Sequence, residues 1–164
     1  MTASNPEPKT QPDLAALLGS HLDVLVENPI DEHTVISVDR SNLMEVLRAF
    51  RDKPELDCDL LVDICGADYP EREKRFEVVY HLASLKHGHR FRIKVPLDEK
   101  TASVPTSYPI WKGADWFERE AFDMFGIVFE GHSDLSRILC PDDWEGYPLR
   151  KDYEFPKSYQ GLPV

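Results

Sequence analysis

The sequence has few of the features that mark nucleic-acid-binding or membrane-spanning proteins. Basic residues are scarce, because 19 lysines and arginines stand against 30 aspartates and glutamates, which gives a formal net charge of -11. Such a charge repels a nucleic-acid backbone and an anionic lipid surface alike. There is also no run of about 18 apolar residues, the length that a membrane-spanning helix needs. We therefore expect no nucleic-acid partner and no direct membrane insertion.

Cysteine is also sparse. Cys58, Cys65 and Cys140 form an odd number without a CxxC pair, so neither a disulfide framework nor a tetrathiolate metal site is indicated. The N-terminal residues lack the apolar core of a secretory signal, and a cytoplasmic location is the expectation. A length of 164 residues allows one domain of ordinary size.

Hydrophobic patterning predicts an α+β fold. Residues 1–12 hold three prolines among small polar residues, which favours a disordered tail. Apolar residues at helical spacing predict helices at about 12–22 and 41–52, with Ser41 as the cap of the second. Alternating or continuously apolar segments predict five strands, at residues 22–28, 33–40, 59–65, 75–85 and 89–97. We expect a two-layer α/β domain over residues 13–126, with a mixed sheet of about five strands and helices on one face.

The densest group of functional side chains lies in a predicted helix at about 111–125, which Gly126 ends as a C-cap. Asp115, Arg119 and Asp123 follow one another at a spacing of four residues and predict a solvent-facing row of ion pairs.

Two glutamates of the same helix, Glu118 and Glu120, fall at opposite borders of its apolar arc. A carboxylate among aromatic rings needs a cation or acquires a raised pKa. Because the two residues are about 200° apart around the helix, they do not converge on one substrate atom. We expect each glutamate to receive an arginine or backbone amides from the chain that follows, rather than to act as an acid or base. Glu118, Glu120, Arg119 and His132 are then the residues that fix the helix to that chain.

That following chain, residues 127–164, has few periodic apolar runs and is predicted to be an extended C-terminal docking arm. Arg137, Arg150 and Lys151 are its candidate cations for the two glutamates, and the sequence leaves open which arginine pairs with them.

Further along the arm, Trp144, Tyr147 and Arg150 are of residue types that are enriched where protein surfaces meet. We expect docking onto another protein, the alternative being an arm that packs only on its own domain.

Recognisable enzyme and metal motifs are missing. The sequence contains no GxSxG elbow, no GxGxxG fingerprint and no Walker loop. Cys58 and Cys65 are predicted to face opposite sides of a sheet. His87 and His89 flank a turn glycine and would hold a metal only with a third ligand such as His81. We therefore expect no catalytic residue, no cofactor and no metal in this chain.

One run of residues resembles a known family. The residues ERE at 118–120, then Asp123, Gly126 and His132, followed by WEGYPLRKDY at 144–153, resemble the signature of the thirty-kilodalton subunit of respiratory complex I, also called the C subunit of NADH-quinone oxidoreductase. The resemblance covers about residues 13 to 155. Ser133 and Ser136 depart from the family pattern, which commonly carries proline and a basic or proline residue there, and this leaves Arg137 as the nearer cation.

The resemblance implies a non-redox scaffold subunit in the peripheral arm of the proton-translocating NADH:quinone oxidoreductase, on the cytoplasmic side of the bacterial inner membrane. FMN, iron-sulfur clusters and quinone are then expected in partner subunits. The chief partners are the D subunit of the quinone pocket, as a separate chain, and the cluster-bearing B and I subunits. The alternatives are an equivalent subunit of a related membrane-bound hydrogenase and a stand-alone hydrolase or metal enzyme that uses Glu118, Glu120 and His132.

Overall fold

A five-stranded mixed sheet forms the centre of the molecule in the computed structural model, which describes residues 13–18, 24–27 and 34–163. Its strands are β1 (Val24–Glu27), β2 (Thr34–Val38), β3 (Leu60–Asp68), β4 (Phe76–Ala83) and β5 (Arg90–Leu97), in the order β1-β2-β5-β4-β3. β2 and β5 are parallel, and the other neighbours are antiparallel. The predicted mixed sheet is confirmed, whereas the predicted tail at residues 1–12 lies outside the described residues.

Buried apolar residues alternate with more exposed ones along β5, so one face of the sheet points into the core. On β5, the alternate residues Phe91, Ile93, Val95 and Leu97 are buried, and those between them are half-buried or exposed. β4 lies between β5 and β3 and is buried at every position except His81. The second face of the sheet is therefore more polar and only partly covered, and His81 lies on it.

Two helices, α1 (Leu14–Leu18) and α2 (Leu43–Asp52), cover the apolar face. The buried residues of α2 recur at helical spacing, as predicted, and the Phe50 ring meets the Phe91 ring of β5 edge-on with centroids 4.9 Å apart. The predicted helices on one face are thereby confirmed.

The start of α2 differs from the prediction. Ser41 does not cap the helix, because a 3-10 turn at Arg40–Asn42 precedes it and Asn42 takes the capping position, where no side chain accepts a backbone hydrogen bond. A side-chain cap needs an extended backbone at the capping residue, whereas the 3-10 turn leaves Asn42 in a helical conformation.

A third helix, α3 (Ala114–Phe125), packs against β3. The Phe125 ring lies directly over Gly66, where a Cβ atom would be 2.5 Å from the ring. Gly126 has a left-handed φ of 73° and donates its backbone N–H to Phe122 O at 2.8 Å, so the predicted end of the helix is confirmed.

The arm begins inside the core. Ile127 and Phe129 are buried, and β7 (Val128–Glu130) pairs in parallel with β6 (Ser103–Pro105). Residues 131–157, all of them described, contain no helix or strand, and a short hairpin of β8 (Ser158–Tyr159) and β9 (Leu162–Pro163) follows. None of the helices in the described ranges has the length and apolar content to cross a bilayer.

Candidate functional site

Glu118 lies on the side of α3 that faces the core, and it is fully buried. Its carboxylate accepts hydrogen bonds from the Thr106 hydroxyl (2.5 Å), the Ser107 hydroxyl (2.6 Å) and the Ser107 backbone N–H (2.7 Å). Burial raises the pKa of Glu118, and these hydrogen bonds offset only part of the rise. The prediction that Glu118 binds the arm, through an arginine or through backbone amides, is therefore wrong, because every donor precedes α3. Small hydroxyl residues before α3 supply the donors without burying a second charge.

Glu120, in contrast, is exposed and forms no hydrogen bond or ion pair with any described residue. The prediction that it needs a cation is wrong, because its aromatic neighbour Trp116 is itself 62% exposed and does not desolvate it. One glutamate is sealed in the core and the other is in solvent, so Glu118, Glu120 and His132 do not form a hydrolytic constellation.

Asp123 lies on the face of α3 that was predicted to be open to solvent, yet it is completely buried. Its Oδ1 accepts from Arg137 Nη1 at 2.6 Å. Its Oδ2 accepts three consecutive backbone N–H groups of residues 138–140 at 2.8 to 3.0 Å. Burial raises the pKa of Asp123, but these donors outweigh burial and hold the pKa below its usual value. The arm thus winds around this carboxylate.

The rest of the predicted solvent row also meets the arm. Arg119 donates from Nε and Nη2 to Ser136 O (3.1 Å), to the Ser136 hydroxyl (3.0 Å) and to Arg137 O (3.0 Å). His132 Nε2 lies 2.9 Å from an Asp115 carboxylate oxygen, outside the angle of a good hydrogen bond, and its ring is nearly fully buried. The predicted solvent-facing ladder is wrong, because helical spacing does not show which face the later chain covers.

Arg150 binds the other end of the same helix. Its Nε donates to Phe125 O at 2.7 Å, where the carbonyls at a helix C-terminus attract a cation. The guanidinium lies 4.4 Å from the Tyr147 ring centroid and 4.9 Å from that of Phe76. Arg137 donates to Gly146 O at 3.0 Å. Neither arginine contacts Glu118 or Glu120, because Arg137 binds Asp123 and Arg150 binds the C-terminus of the helix.

The sequence analysis missed an ion cluster that fastens the arm to the sheet. Arg75 forms a bidentate ion pair with Asp68, with distances of 2.8 and 2.9 Å. It also donates to Glu99 (2.6 Å) and to Asp152 (2.6 and 3.0 Å). The backbone N–H of Lys151 donates to Asp68 at 2.8 Å, while the residue itself is exposed. The hydrogen bonds from Arg75 lower the pKa of Asp68 and of Asp152. No local pattern reveals a cluster in which residues as far apart as Asp68 and Lys151, 83 positions along the chain, are hydrogen-bonded.

Trp144 marks the outer part of the arm. Its ring centroid lies 5.1 Å from that of Tyr159, and its Nε1 is buried without a hydrogen-bond partner among the described residues. The two rings line an open cavity of about 390 Å³ together with Tyr153 and acidic residues, among them Asp143, Glu145 and Glu154. Aromatic walls with carboxylates at the rim favour a cationic guest.

Three charged residues of α3 therefore hold the arm, namely Asp115, Arg119 and Asp123. Residues 36–159 match the family described as respiratory-chain NADH dehydrogenase, 30 Kd subunit. The chain belongs to this family.

Curated relatives of this 30-kDa subunit family are similar over most of the chain. The C subunit of NADH-quinone oxidoreductase from Hyphomonas neptunium is 44% identical over 90% of this chain and 74% of the relative. That of Maricaulis maris is 53% identical over 72% of this chain and 58% of the relative, and that of Roseiflexus castenholzii is 53% identical over 71% and 67%. The chain thus spans between about six tenths and three quarters of these relatives.

Two solved structures have a similar fold. A trypsin-resistant fragment of Nqo5 is 33% identical with a TM-score of 0.62, over 68% of this chain and 89% of the fragment. A chain of the membrane-bound sulfane sulfur reductase, an archaeal respiratory membrane complex, is 27% identical with a TM-score of 0.71, over 86% of this chain and 83% of its own. The α+β fold is therefore one that respiratory complexes contain.

Proposed function

We propose that this chain is the C subunit of a proton-translocating NADH:quinone oxidoreductase and that it acts as a non-redox scaffold on the cytoplasmic side of the bacterial inner membrane. Electrons pass from NADH through FMN and iron-sulfur clusters to quinone in other subunits. The partners of the chain are the D subunit of the quinone pocket and the cluster-bearing B and I subunits. Membership of the 30-kDa subunit family supports this proposal.

One observation carries the scaffold role: the buried charges of α3 all have partners within the chain, while large apolar side chains of α3 and of the arm are exposed. Asp123 and Glu118 are saturated with hydrogen bonds, as described above. Large apolar side chains on α3 and the arm are nevertheless 49–62% exposed, namely Trp116, Leu139, Leu149 and Phe155. Large exposed apolar side chains on a segment that is fastened by internal charge pairs are typical of a protein interface.

The acidic cavity beside Trp144 complements this surface. Trp144, Tyr153 and Tyr159 provide ring faces, and three carboxylates surround them, so a lysine or arginine side chain of a neighbouring protein fits the cavity by charge and by shape. The arm then offers apolar contacts along its length and a cation site near its end.

Assembly tests this role directly. Changing Leu139 and Leu149 together to serine removes two exposed apolar anchors, each worth about 1–2 kcal/mol at an interface. We expect less of the chain to co-purify with the membrane complex, while the far-ultraviolet circular dichroism of the isolated chain stays unchanged. Leu85→Ser is the matched control, since Leu85 is 70% exposed on the β4–β5 hairpin, outside the arm. Normal assembly of the double variant contradicts docking through the arm.

The likeness to a sulfane sulfur reductase chain gives a second candidate, an equivalent subunit of a related membrane-bound respiratory complex. Purification of the native complex distinguishes the two: co-purification of an FMN-containing, NADH-oxidising module supports the first, and its absence from an intact complex supports the second.

A further inference from the structure

Three metal-ligating side chains meet on the more polar face of the sheet. Asp63 and Cys65 are two residues apart on β3, and His81 lies on the neighbouring strand β4, opposite Asp63. One carboxylate oxygen, the Cys65 sulfur and one imidazole nitrogen lie within 4.8 Å of one another, and all three residues are half-buried. No other cluster of this kind occurs in the described parts of the chain.

An irregularity in the strand register creates this meeting. Leu61 pairs with Leu82, but Asp63 rather than Val62 pairs with His81, so Val62 is an extra residue on β3. Without it, Asp63 would pair with Tyr80, whose side chain is fully buried in the core, and would point to the other face. The bulge therefore shifts both Asp63 and Cys65 onto the face of the sheet where His81 lies.

The local charge favours a cation. The carboxylates of Asp63, Glu77 and Glu120 act electrostatically on the Cys65 sulfur, and the guanidinium of Arg92 opposes them. Three negative groups against one positive group favour a divalent cation at this position.

We propose that Asp63, Cys65 and His81 form a binding site for a thiophilic divalent cation such as Zn²⁺. A carboxylate, a thiolate and an imidazole are a ligand set that zinc accepts, and a set of three leaves one position for water. Binding releases the thiol proton of Cys65 to solvent, so no oxidant or other reactant is needed. The site would link edge strand β3 to β4 and so brace the strand on which α3 packs.

One alternative is that no metal binds, and that Asp63 and His81 form only a cross-strand contact beside an unreactive thiol. A second alternative is metal capture by the His87 and His89 pair, whose rings stack 5.6 Å apart and where His87 Nε2 lies 2.8 Å from Pro54 O. The test must separate these three cases.

Cobalt titration of the purified full-length chain makes the separation, because Co²⁺ replaces zinc in such sites and absorbs strongly when a thiolate binds it. We expect one equivalent of Co²⁺ to give a thiolate-to-cobalt band that Zn²⁺ then displaces. Cys65→Ser should abolish the band, and Asp63→Asn, which keeps the side-chain shape, should weaken binding about tenfold or more. The matched controls Cys140→Ser and His87→Ala should leave the band and the affinity unchanged.

Two results overturn the proposal: no thiolate band at one equivalent in the intact chain, or a band that survives Cys65→Ser. The pH dependence gives an independent check that does not rely on substitution. Since one thiol proton leaves, affinity for Zn²⁺ should rise about tenfold per pH unit above neutrality, and a pH-independent affinity contradicts a cysteine ligand. The isolated chain suffices for every measurement, so failure here leaves the scaffold proposal untouched.

Discussion

The carboxylate of Asp123 provides the sharpest quantitative prediction. It is fully buried and accepts four hydrogen bonds, one from Arg137 and three from the backbone N–H groups of residues 138–140. Asp123→Ala removes every one of these acceptors and leaves the guanidinium without its main partner. Removing one member of a buried ion pair costs about 3–5 kcal/mol. Asp123→Asn keeps a carbonyl oxygen but loses the charge, so we expect a loss of about 2 kcal/mol.

The pH dependence of this loss follows from the lowered pKa of Asp123. A carboxyl with a folded-state pKa below its unfolded value of about 3.9 stabilises the fold fully above that value. Its contribution then disappears as the pH falls through the lower folded-state pKa. The difference in free energy of unfolding between the wild type and Asp123→Asn should be constant from pH 7 to about 5 and should shrink below about 4.

Urea denaturation followed by far-ultraviolet circular dichroism measures both quantities, and limited trypsin digestion reports release of the arm at Arg137. Asp115→Asn is the matched control, because Asp115 lies on the same helix but is about one third exposed, and we expect it to cost less than about 1 kcal/mol. A loss below about 1 kcal/mol for Asp123→Ala, or an Asp123→Asn difference that does not shrink in acid, would refute the reasoning.

Three further predictions concern the same helix. Gly126→Ala places a Cβ 2.6 Å from Arg150 and Tyr147 at a left-handed φ, so it should lower the free energy of unfolding by at least about 1 kcal/mol in urea. Arg150→Ala should lower the free energy of unfolding by about 1–2 kcal/mol in the same assay, because its hydrogen bond to Phe125 O is lost. The control Lys151→Ala keeps the backbone N–H and should change the free energy of unfolding by less than about 0.5 kcal/mol. Equal losses for the two variants would contradict a role for the guanidinium. The raised pKa of Glu118 means that the wild type loses stability as the pH rises from the unfolded-state pKa through the folded-state pKa. Glu118→Gln should therefore show a flatter stability profile above about pH 4, and parallel profiles would contradict a carboxyl with a raised pKa.

Local patterns predicted most of the elements. The alternation on β5 and the i, i+3, i+4, i+7 spacing in α2 depend on residues that are close in sequence, and both elements form where the pattern places them. Gly126 was predictable for the same reason, since a helix end is a local backbone event. The family resemblance rested on a contiguous signature, and the family match confirms it.

Side-chain partners were not predictable in the same way. The row of Asp115, Arg119 and Asp123 was predicted to face solvent because helical geometry gives only the direction of a residue around the helix. It does not show where a segment 14 to 17 residues later in the chain will lie. Glu118 found its donors in Thr106 and Ser107, neutral residues that carry no charge signal. The bulge at Val62, which sets the phase of Asp63, depends on pairing with a strand further along the chain.

The central claim is that α3 and the arm serve assembly and not catalysis. It is tested most directly by measuring, in membranes from cells that carry Leu139→Ser with Leu149→Ser, both the amount of assembled complex and its NADH:quinone turnover per assembled complex. Our account predicts that the amount falls while turnover per complex stays at the wild-type value, with Leu85→Ser normal in both. A fully assembled complex that turns over slowly would contradict it.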